Sequence, residues 1–502
     1  MIQRLIDLLT YNPKEPLIFS SGLFLFLFLG FSFFYMLLRH KLQPRLFFVT
    51  LFSYYFYYKS SGFYFFLLAV VTLTDFLIAR KIGTLSAVRP SDEGAARRNK
   101  LKRKWLVALS LLIDLGLLGY FKYTNFFAGL VSQMINHNFQ PWDIFLPVGI
   151  SFFTFQSMSY TIDVYRGSLK PLPGLLDYAF YVSFFPQLVA GPIVRASDFA
   201  PQIRKPVIIT RDMFARGVYF IMIGLFKKAV ISDYISLNFV DRIFDNPTLY
   251  SGLENLLGVY GYALQIYCDF SGYSDMAIGI ALLLGFHFPI NFNAPYRSTS
   301  ITDFWRRWHI SLSSWIRDYI YISLGGNRKG KLRQYLNLMI TMLLGGLWHG
   351  ASLNFIVWGG MHGLALAVHK FIGQEVLHHD RHYKSTGLKR LMAVLVTFHF
   401  VCFTWIFFRH SSFEAGWTML RQIFTSFHFE LWPQVVSGYK YVLLFMGLGY
   451  LTHFLPDAWQ EKLIGGLRHC NLPVYALLLT AVIYIVIQIK SSAIQPFIYF
   501  QF

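Results

Sequence analysis

Charged side chains are scarce in this sequence, and acidic side chains are the scarcest. Only 14% of its 502 residues are charged, with 25 acidic against 45 basic side chains, whereas soluble domains carry about 25% charged residues. Hydrophobic residues make up 55% of the chain and aromatic residues 19%. Because a water-soluble fold could not bury so much apolar surface, the composition predicts an integral membrane protein.

Long polar blocks are also missing. Apolar runs recur from Leu17 to Ile489, and a membrane-crossing helix needs about 20 such residues. The sequence therefore predicts an all-α polytopic fold, with a single integral membrane domain over residues 1–502 and eleven to thirteen helices. The candidate segments are 17–38, 46–58, 62–79, 105–121, 143–160, 177–194, 213–235, 254–286, 334–348, 352–370, 391–408, 440–456 and 473–490.

Several of these segments are shorter than a full span. Short helices that are broken by glycine and proline are permitted in a membrane only where protein or a cavity covers the exposed backbone groups. We therefore expect the helices to enclose a cavity. No internal repeat is visible in the sequence, which weighs against the duplicated architecture of many secondary transporters.

Cysteine is nearly absent. Cys268, Cys402 and Cys470 are odd in number and form no close pair, so the sequence supports neither a disulfide framework nor a zinc site. We expect no metal and interpret the thiols as buried structural groups. The N-terminus lacks a small-residue cleavage pattern, so a cleaved signal peptide is not expected.

The net charge of +20 is compatible with nucleic-acid binding in principle, because basic chains attract phosphate. The positions of the charges favour membrane topology instead, since clustered Lys and Arg between apolar spans mark cytoplasmic loops. One predicted loop, at 80–104, contains Asp92, Glu93 and nine basic residues. These are Arg80, Lys81, Arg89, Arg97, Arg98, Lys100, Lys102, Arg103 and Lys104.

Two basic clusters define the start of the predicted topology. Arg39, Lys41 and Arg45 follow the first apolar segment, and the 80–104 cluster follows the third. If both are cytoplasmic, residues 46–79 form a helical hairpin. Gly326–Arg333 and residues 378–390 are further candidate cytoplasmic loops.

The segment 301–326 is predicted to be one amphipathic helix. Ser300 and Asp303 resemble a capping box at its start, and apolar residues recur on one face at helical spacing. Arg306, Ser313 and Arg317 align on the polar face, where arginine would suit an anionic donor. The alternative is that these arginines only reach lipid headgroups. His309 lies between the two faces.

The segment 335–363 places His349 among glycines within an apolar run. Ionisable groups at membrane depth are costly and therefore candidates for function, and a neutral histidine can take a proton from a hydroxyl. The alternative is a histidine hydrogen-bonded between helices, with the glycines serving helix packing. For His362, in the similar string WGGMHG, the structural interpretation is favoured.

Asp269 and Asp275 lie in a third apolar stretch. Buried carboxylates must be paired, solvated or protonated. We expect them to pair with the arginine-rich 301–317 segment or to orient a histidine. The alternative is cation binding or proton coupling, in which His349, Asp269 and Asp275 would serve a transporter or flippase.

Four strings in this chain closely resemble the membrane-bound O-acyltransferase (MBOAT) family. They are DFSGYSDMAIG, FWRRWHISLSSWIRDY, LGGNRKG and GGLWHG, and the resemblance extends from about Leu23 to about Phe408. It is strongest to the bacterial branch of the alginate and peptidoglycan O-acetyltransferases (AlgI and PatA), and more distant to the D-alanyl transferase DltB. The C-terminal helices, at about 409–502, match less clearly.

The resemblance implies a fold, an activity and a site. The fold would be a ring of tilted and re-entrant helices around a tunnel in the cell inner membrane. Acetyl-CoA would donate an acetyl group to a hydroxyl, with no bound cofactor. An exported acetyltransferase similar to the SGNH hydrolases would be the partner, and a surface polysaccharide the final acceptor. The invariant histidine of the family falls on His349 and its second site position on His309.

Within this interpretation, His349 and His309 are the predicted catalytic residues, with His309 orienting the acyl group or stabilising the oxyanion. A larger set is predicted to bind the donor or substrate. It comprises Arg306, Arg307, Arg317, Arg328, Lys329, Trp348, Asp269 and Asp275.

Overall fold

A computed structural model of the chain describes residues 2–13, 15–136, 138–378 and 385–489. The described residues form helices joined by turns and irregular segments, without a β-strand among them, which confirms the all-α prediction. Contacts group the chain into two compact units. The first comprises Met1–Gly217 and Ala277–Pro289, and the second Val218–Met276 and Ile290–Phe502. The single domain predicted from the sequence stays a prediction.

The first unit contains ten complete α-helices in its described residues. They are α1 (Ile2–Leu9), α2 (Gly22–Leu38), α3 (Leu42–Ser61), α4 (Phe65–Ala87), α5 (Glu93–Leu118), α6 (Thr124–Met134), α7 (Ile150–Arg166), α8 (Leu175–Ser183), α9 (Phe185–Leu188) and α10 (Ala196–Ile203). Helices α11 (Arg211–Leu225) and α14 (Gly252–Leu283) contribute residues to both units.

The second unit contains the remaining α-helices and most of the π-helical turns. The α-helices are α12 (Asp233–Ile235), α13 (Asp241–Asp245), α15 (Ile301–Arg307), α16 (Ile310–Ile316), α17 (Lys331–His349), α18 (Leu353–Phe371), α19 (Gly387–Arg409), α20 (Phe413–Thr425), α21 (Trp432–Gly438), α22 (Lys440–Phe454), α23 (Asp457–Arg468) and α24 (Leu472–Ile489). The π-helical turns of this unit are Phe226–Ser232, Ser236–Val240, Arg317–Tyr321 and Ile372–Val376.

Five helical runs among the described residues are long and apolar enough to cross a membrane, and a sixth counts if the bent pair Phe429–Gly438 and Lys440–Phe454 is one span. The five are Leu42–Ala87, Glu93–Met134, Leu353–Val376, Gly387–Arg409 and Leu472–Ile489. The other predicted segments form helices that are shorter, interrupted or more polar. The five runs overlap six of the thirteen predicted segments, since 46–58 and 62–79 both lie in Leu42–Ala87, and the bent pair overlaps a seventh, 440–456.

The predicted hairpin over 46–79 is present in the first unit. Gly62 adopts φ +60° between α3 and α4, a left-handed conformation that glycine tolerates readily. The Tyr54 and Thr72 hydroxyls, 18 positions apart, come within 3.5 Å of each other. A straight helix would separate residues 18 positions apart by roughly 27 Å, so the chain turns back near Gly62.

The basic segment 80–104 is mostly helical, so the prediction of a long polar loop there is wrong. Helix α4 runs to Ala87 and α5 begins at Glu93, because Lys and Arg are favourable helix residues. The Asp92 side chain caps α5 by accepting a hydrogen bond of 2.6 Å from the Ala95 amide. Only the short connection between the two helices is a loop. Residues 379–384, part of the predicted 378–390 loop, lie outside the described residues.

Candidate active site

The predicted amphipathic helix over 301–326 is broken at His309. Helix α15 ends at Arg307 and α16 begins at Ile310, with His309 at φ +42° between them. Such a conformation is uncommon for a residue other than glycine and is one that active sites often retain. The break changes the helical register, so the predicted alignment of Arg306, Ser313 and Arg317 on one continuous face is wrong.

The predicted start of this segment is confirmed. The Ser300 hydroxyl accepts a hydrogen bond of 3.2 Å from the Asp303 amide, and the Asp303 carboxylate accepts one of 3.3 Å from the Thr299 amide. This arrangement satisfies amides that a helix N-terminus leaves without partners. It fixes the start of α15 at Ile301, and therefore the length of helix that precedes His309.

A loop residue that precedes α15 holds the break in place. The Ile310 amide donates to the Asn291 carbonyl at 2.8 Å, and the Asn291 side-chain oxygen lies 3.2 Å from His309 Nδ1. Both Asn291 and His309 are buried, at 1% and 0% exposure. Sequence reasoning missed Asn291, and its only signal in the sequence is an asparagine in the loop between Pro289 and Pro295.

His309 and His349 lie in one aromatic cluster. The His309 ring meets the Phe270 ring edge-on, with centroids 4.6 Å apart, and the Trp348 ring at 6.1 Å. Trp348 in turn contacts His349, with centroids 5.1 Å apart. The structure thus brings together three residues that were predicted for the site, with Trp348 in contact with both imidazoles.

Apolar rings surround the imidazole of His349. Trp358 and Phe408 meet it nearly perpendicularly, with centroid distances of 5.1 and 5.2 Å, and His349 is 3% exposed. Water is largely excluded from such a site, and there electrostatic interactions with a reacting group are stronger than in bulk water. The surroundings suit a neutral base that takes up a proton during a reaction.

Glycines let α17 and α18 pack closely where α17 ends. A Cβ on Gly346 would stand 2.1 Å from the Phe355 carbonyl oxygen, and one on Gly359 would stand 2.3 Å from the Met342 oxygen. A Cβ on Gly350 would stand 2.0 Å from the Phe355 ring. Helix packing therefore requires these glycines, and it sets the position of His349 at the end of α17.

The structural interpretation of His362 agrees with its contacts. Its Nε2 lies 3.0 Å from the Thr404 hydroxyl, and its Nδ1 accepts a hydrogen bond of 3.3 Å from the Trp305 indole. His362 is fully buried, at 0% exposure. Both ring nitrogens are engaged, so this histidine ties α15, α18 and α19 together.

Asp269 and Asp275 pair with lysines, so the expectation that they pair with the arginine-rich segment is wrong. Lys228 Nζ lies 2.5 Å from Asp269 and 2.8 Å from Asp233, and Lys227 Nζ lies 2.7 Å from Asp275. The Lys227-Lys228 pair follows an apolar run in the sequence, and sequence reasoning did not use it. Its position within the π-helical turn 226–232 brings both ammonium groups to α14.

The arginine-rich segment has its own acidic partners. Arg307 pairs with Asp303 at 3.0 Å, and Arg317 pairs with Asp318 at 2.6 Å. Each partner is local in sequence, whereas Asp269 and Asp275 pair with Lys228 and Lys227. The predicted donor-binding residues Arg306, Arg317, Arg328 and Lys329 are all exposed, and their role in donor binding stays a prediction.

Lys228 offers a test of this buried ion cluster. Its side chain and that of Asp269 are each 3% exposed, and removal of one partner from a buried ion pair costs about 3–5 kcal/mol. We expect Lys228→Met to lower the free energy of unfolding by about that amount, measured as a fall in the thermal midpoint of the detergent-solubilised protein.

Lys331→Met is the matched control, because Lys331 pairs with Glu375 at 2.6 Å while its side chain is 68% exposed. Exposed pairs contribute little to stability, so no measurable shift of the midpoint is expected. Equal shifts for the two variants would contradict the structural role of the buried cluster.

Comparison with known protein sequences identifies a family and several relatives of this chain. A sequence model of the membrane-bound O-acyltransferase family matches residues 168–409, a range that contains both site histidines. The chain is 37% identical to a probable alginate O-acetylase AlgI of Pseudomonas putida, over 97% of this chain and the whole of that protein.

Two further relatives show how wide the similarity is. A peptidoglycan O-acetyltransferase of Helicobacter pylori is 38% identical, over 81% of this chain and 79% of its own length. A teichoic acid D-alanyltransferase of Bacillus subtilis is 30% identical, over 55% and 71%. The resemblance found in the sequence motifs is thereby confirmed. The chain belongs to the membrane-bound O-acyltransferase family, and it is an acyltransferase of the membrane.

Proposed function

We propose that this acyltransferase moves an acetyl group from cytoplasmic acetyl-CoA to a hydroxyl acceptor beyond the cell inner membrane. The acceptor is an exported partner acetyltransferase, similar to the SGNH hydrolases, or a surface polysaccharide such as alginate or peptidoglycan. The observation that carries the proposal is the buried cluster in which Trp348 contacts both His309 and His349.

His349 is the general base in this proposal. A hydroxyl attacks a thioester carbonyl effectively only if its proton is removed as the bond forms. His349 takes that proton, the oxygen bonds to the acetyl carbon, and the carbon–sulfur bond breaks. The thiolate of coenzyme A takes the proton back from His349 and leaves as the thiol, so the imidazole is neutral again. The aromatic rings around His349 keep water away, so that hydrolysis does not compete with transfer.

The acetyl donor is proposed on the strength of the relatives. Two of them are named as O-acetylating enzymes, for alginate and for peptidoglycan, and this chain aligns with most of their length. The exposed Arg306, Arg328 and Lys329 would meet the phosphates of coenzyme A, because guanidinium and ammonium groups bind phosphate oxygens well.

The ion pairs disfavour the alternative of a proton-coupled transporter or flippase. Such a relay would need Asp269 and Asp275 to exchange protons with His349. Asp269 is held by Lys228 and Asp275 by Lys227, and a carboxylate that is held by a buried ammonium gives up its charge only at high cost.

Acetylation of the native surface glycans tests the proposal. We expect a strain that lacks the protein to lose O-acetyl groups from one surface polymer, as measured by mass spectrometry of hydrolysed glycans, and a plasmid-borne copy to restore them. The polymer that changes identifies the acceptor. Unaltered O-acetylation of every surface glycan, in a strain shown to lack the protein, would refute the proposal.

A further inference from the structure

We propose that Asn291 is a positioning residue that fixes neutral His309 in the tautomer with its hydrogen on Nδ1, so that Nε2 is a hydrogen-bond acceptor. His309 then receives a hydrogen bond from an O–H or N–H group of a substrate. The assignment of the tautomer follows from the contacts of Asn291, and its use in catalysis rests on the acyl transfer proposed above.

The orientation of the Asn291 amide is the first step. The Ser311 backbone N–H lies 3.2 Å from the atom assigned as Oδ1. A backbone N–H can only donate, so its partner must be the amide oxygen and not the amide nitrogen. The nitrogen on the other side donates to the Ser274 hydroxyl at 3.0 Å, which agrees with this orientation of the amide.

The tautomer of His309 follows from that orientation. His309 Nδ1 lies 3.2 Å from the same Asn291 oxygen, which accepts and cannot donate. A bare Nδ1 would place two lone pairs against each other, whereas an N–H there makes a hydrogen bond. In neutral imidazole one nitrogen donates and the other accepts, and Nε2 is therefore the acceptor.

The neighbouring hydroxyl does not change this assignment. Ser311 Oγ lies 2.9 Å from the Asn291 oxygen and 3.4 Å from His309 Nδ1. The shorter contact is the better hydrogen bond, so the hydroxyl donates to Asn291. The side-chain oxygen of Asn291 thus accepts hydrogen bonds from three donors, namely the Ser311 amide, the Ser311 hydroxyl and His309 Nδ1.

The tautomer decides between the two roles that the sequence left open for His309. An oxyanion needs a hydrogen-bond donor, and Nε2 of this tautomer has no hydrogen to give. Nε2 instead accepts a hydrogen bond, as from an amide N–H of the pantetheine arm of the donor or a hydroxyl of the acceptor. Its role in the proposed reaction is therefore to orient the substrate.

Nitrogen spectroscopy of the full-length protein in lipid nanodiscs tests the assignment directly. Protein labelled with ¹⁵N in its histidines is compared with the His309→Gln variant, which identifies the His309 signals. We expect a protonated Nδ1 and a bare Nε2 in the wild type. A hydrogen on Nε2 of wild-type His309 would overturn the inference.

Variants of Asn291 separate positioning from simple packing. Asn291→Leu keeps the branching and the number of side-chain heavy atoms but has no acceptor, so we expect the fixed tautomer to be lost. Asn291→Asp keeps an acceptor oxygen and should preserve the Nδ1 hydrogen. Ser274→Ala removes only the contact to the amide nitrogen and should also preserve it. An unchanged tautomer in folded Asn291→Leu protein would contradict the proposal.

Kinetics complete the test, with acetyl-CoA as the donor and native membranes as the source of acceptor. For histidines that bind a metal, loss of the residue that orients the imidazole lowers activity by roughly 10- to 100-fold. We expect a fall of similar size in kcat for Asn291→Leu, with recovery in Asn291→Asp. Equal losses in both variants would indicate packing alone. The spectrum of His309 is measured without turnover, so a failure of the proposed acyl transfer would leave the tautomer result intact.

Discussion

Replacement of His349 by alanine is expected to abolish acetyl transfer. General base catalysis contributes about 10²- to 10⁴-fold to a rate, and the aromatic cluster leaves little water to act in place of the imidazole. The measurement is the O-acetyl content of the affected surface glycan in cells that carry the variant as their only copy. Expression of the variant at the wild-type level is checked in the same membranes.

His362→Gln is the matched control for this experiment. His362 is as deeply buried as His349, but it binds Thr404 and Trp305 and serves packing. We expect its replacement to reduce the amount of folded protein and to leave the acetylation per folded molecule unchanged. Full acetylation by His349→Ala would contradict the assignment of His349 as the base.

Gly346→Ala is expected to disrupt the α17–α18 pair. The new methyl group would stand 2.1 Å from the Phe355 carbonyl oxygen, a backbone atom that cannot move aside as a flexible side chain would. Overpacking of a close contact costs typically about 1–3 kcal/mol, and we expect the upper end of that range here. The thermal midpoint of the solubilised protein reports the loss, and acetylation should fall as His349 is displaced.

The neighbouring glycine provides the control. A Cβ on Gly345 would meet only the Ile316 Cδ1 atom, at 3.7 Å, which is an ordinary van der Waals distance. We therefore expect Gly345→Ala to leave both the thermal midpoint and the acetylation unchanged. If both alanine variants were equally stable and active, close packing would not be the reason for Gly346.

Much of this site could be predicted from the sequence, because the patterns that indicate it involve residues close together in the chain. Glycines around His349 indicated close helix packing as one of two interpretations, and Ser300 with Asp303 predicted the start of α15. Both features depend on residues within a few positions of each other, and a single sequence displays such patterns directly. The charge scarcity likewise predicted a membrane protein without any knowledge of contacts.

The parts that sequence reasoning missed depend on contacts between distant residues. The break at His309 is held by Asn291, 18 positions earlier, so the 301–326 segment looked like one helix when judged by periodicity alone. Lys228 reaches Asp269 across 41 positions, through a π-helical turn that no local pattern predicted. Arg307 and Arg317 pair with Asp303 and Asp318, and the periodicity of the sequence did not indicate which acidic group each arginine contacts.

The central claim is that the protein transfers an acetyl group and does not transport a substrate. Purified protein in vesicles, supplied with acetyl-CoA and either an alginate oligosaccharide or a peptidoglycan fragment together with the exported fraction of the native cells, tests this claim. The release of free thiol and the acetylation of glycan are measured together. We expect equal amounts of thiol and acetylated product, and neither with His349→Ala. Movement of glycan or acetyl-CoA across the membrane without thiol release would contradict the claim.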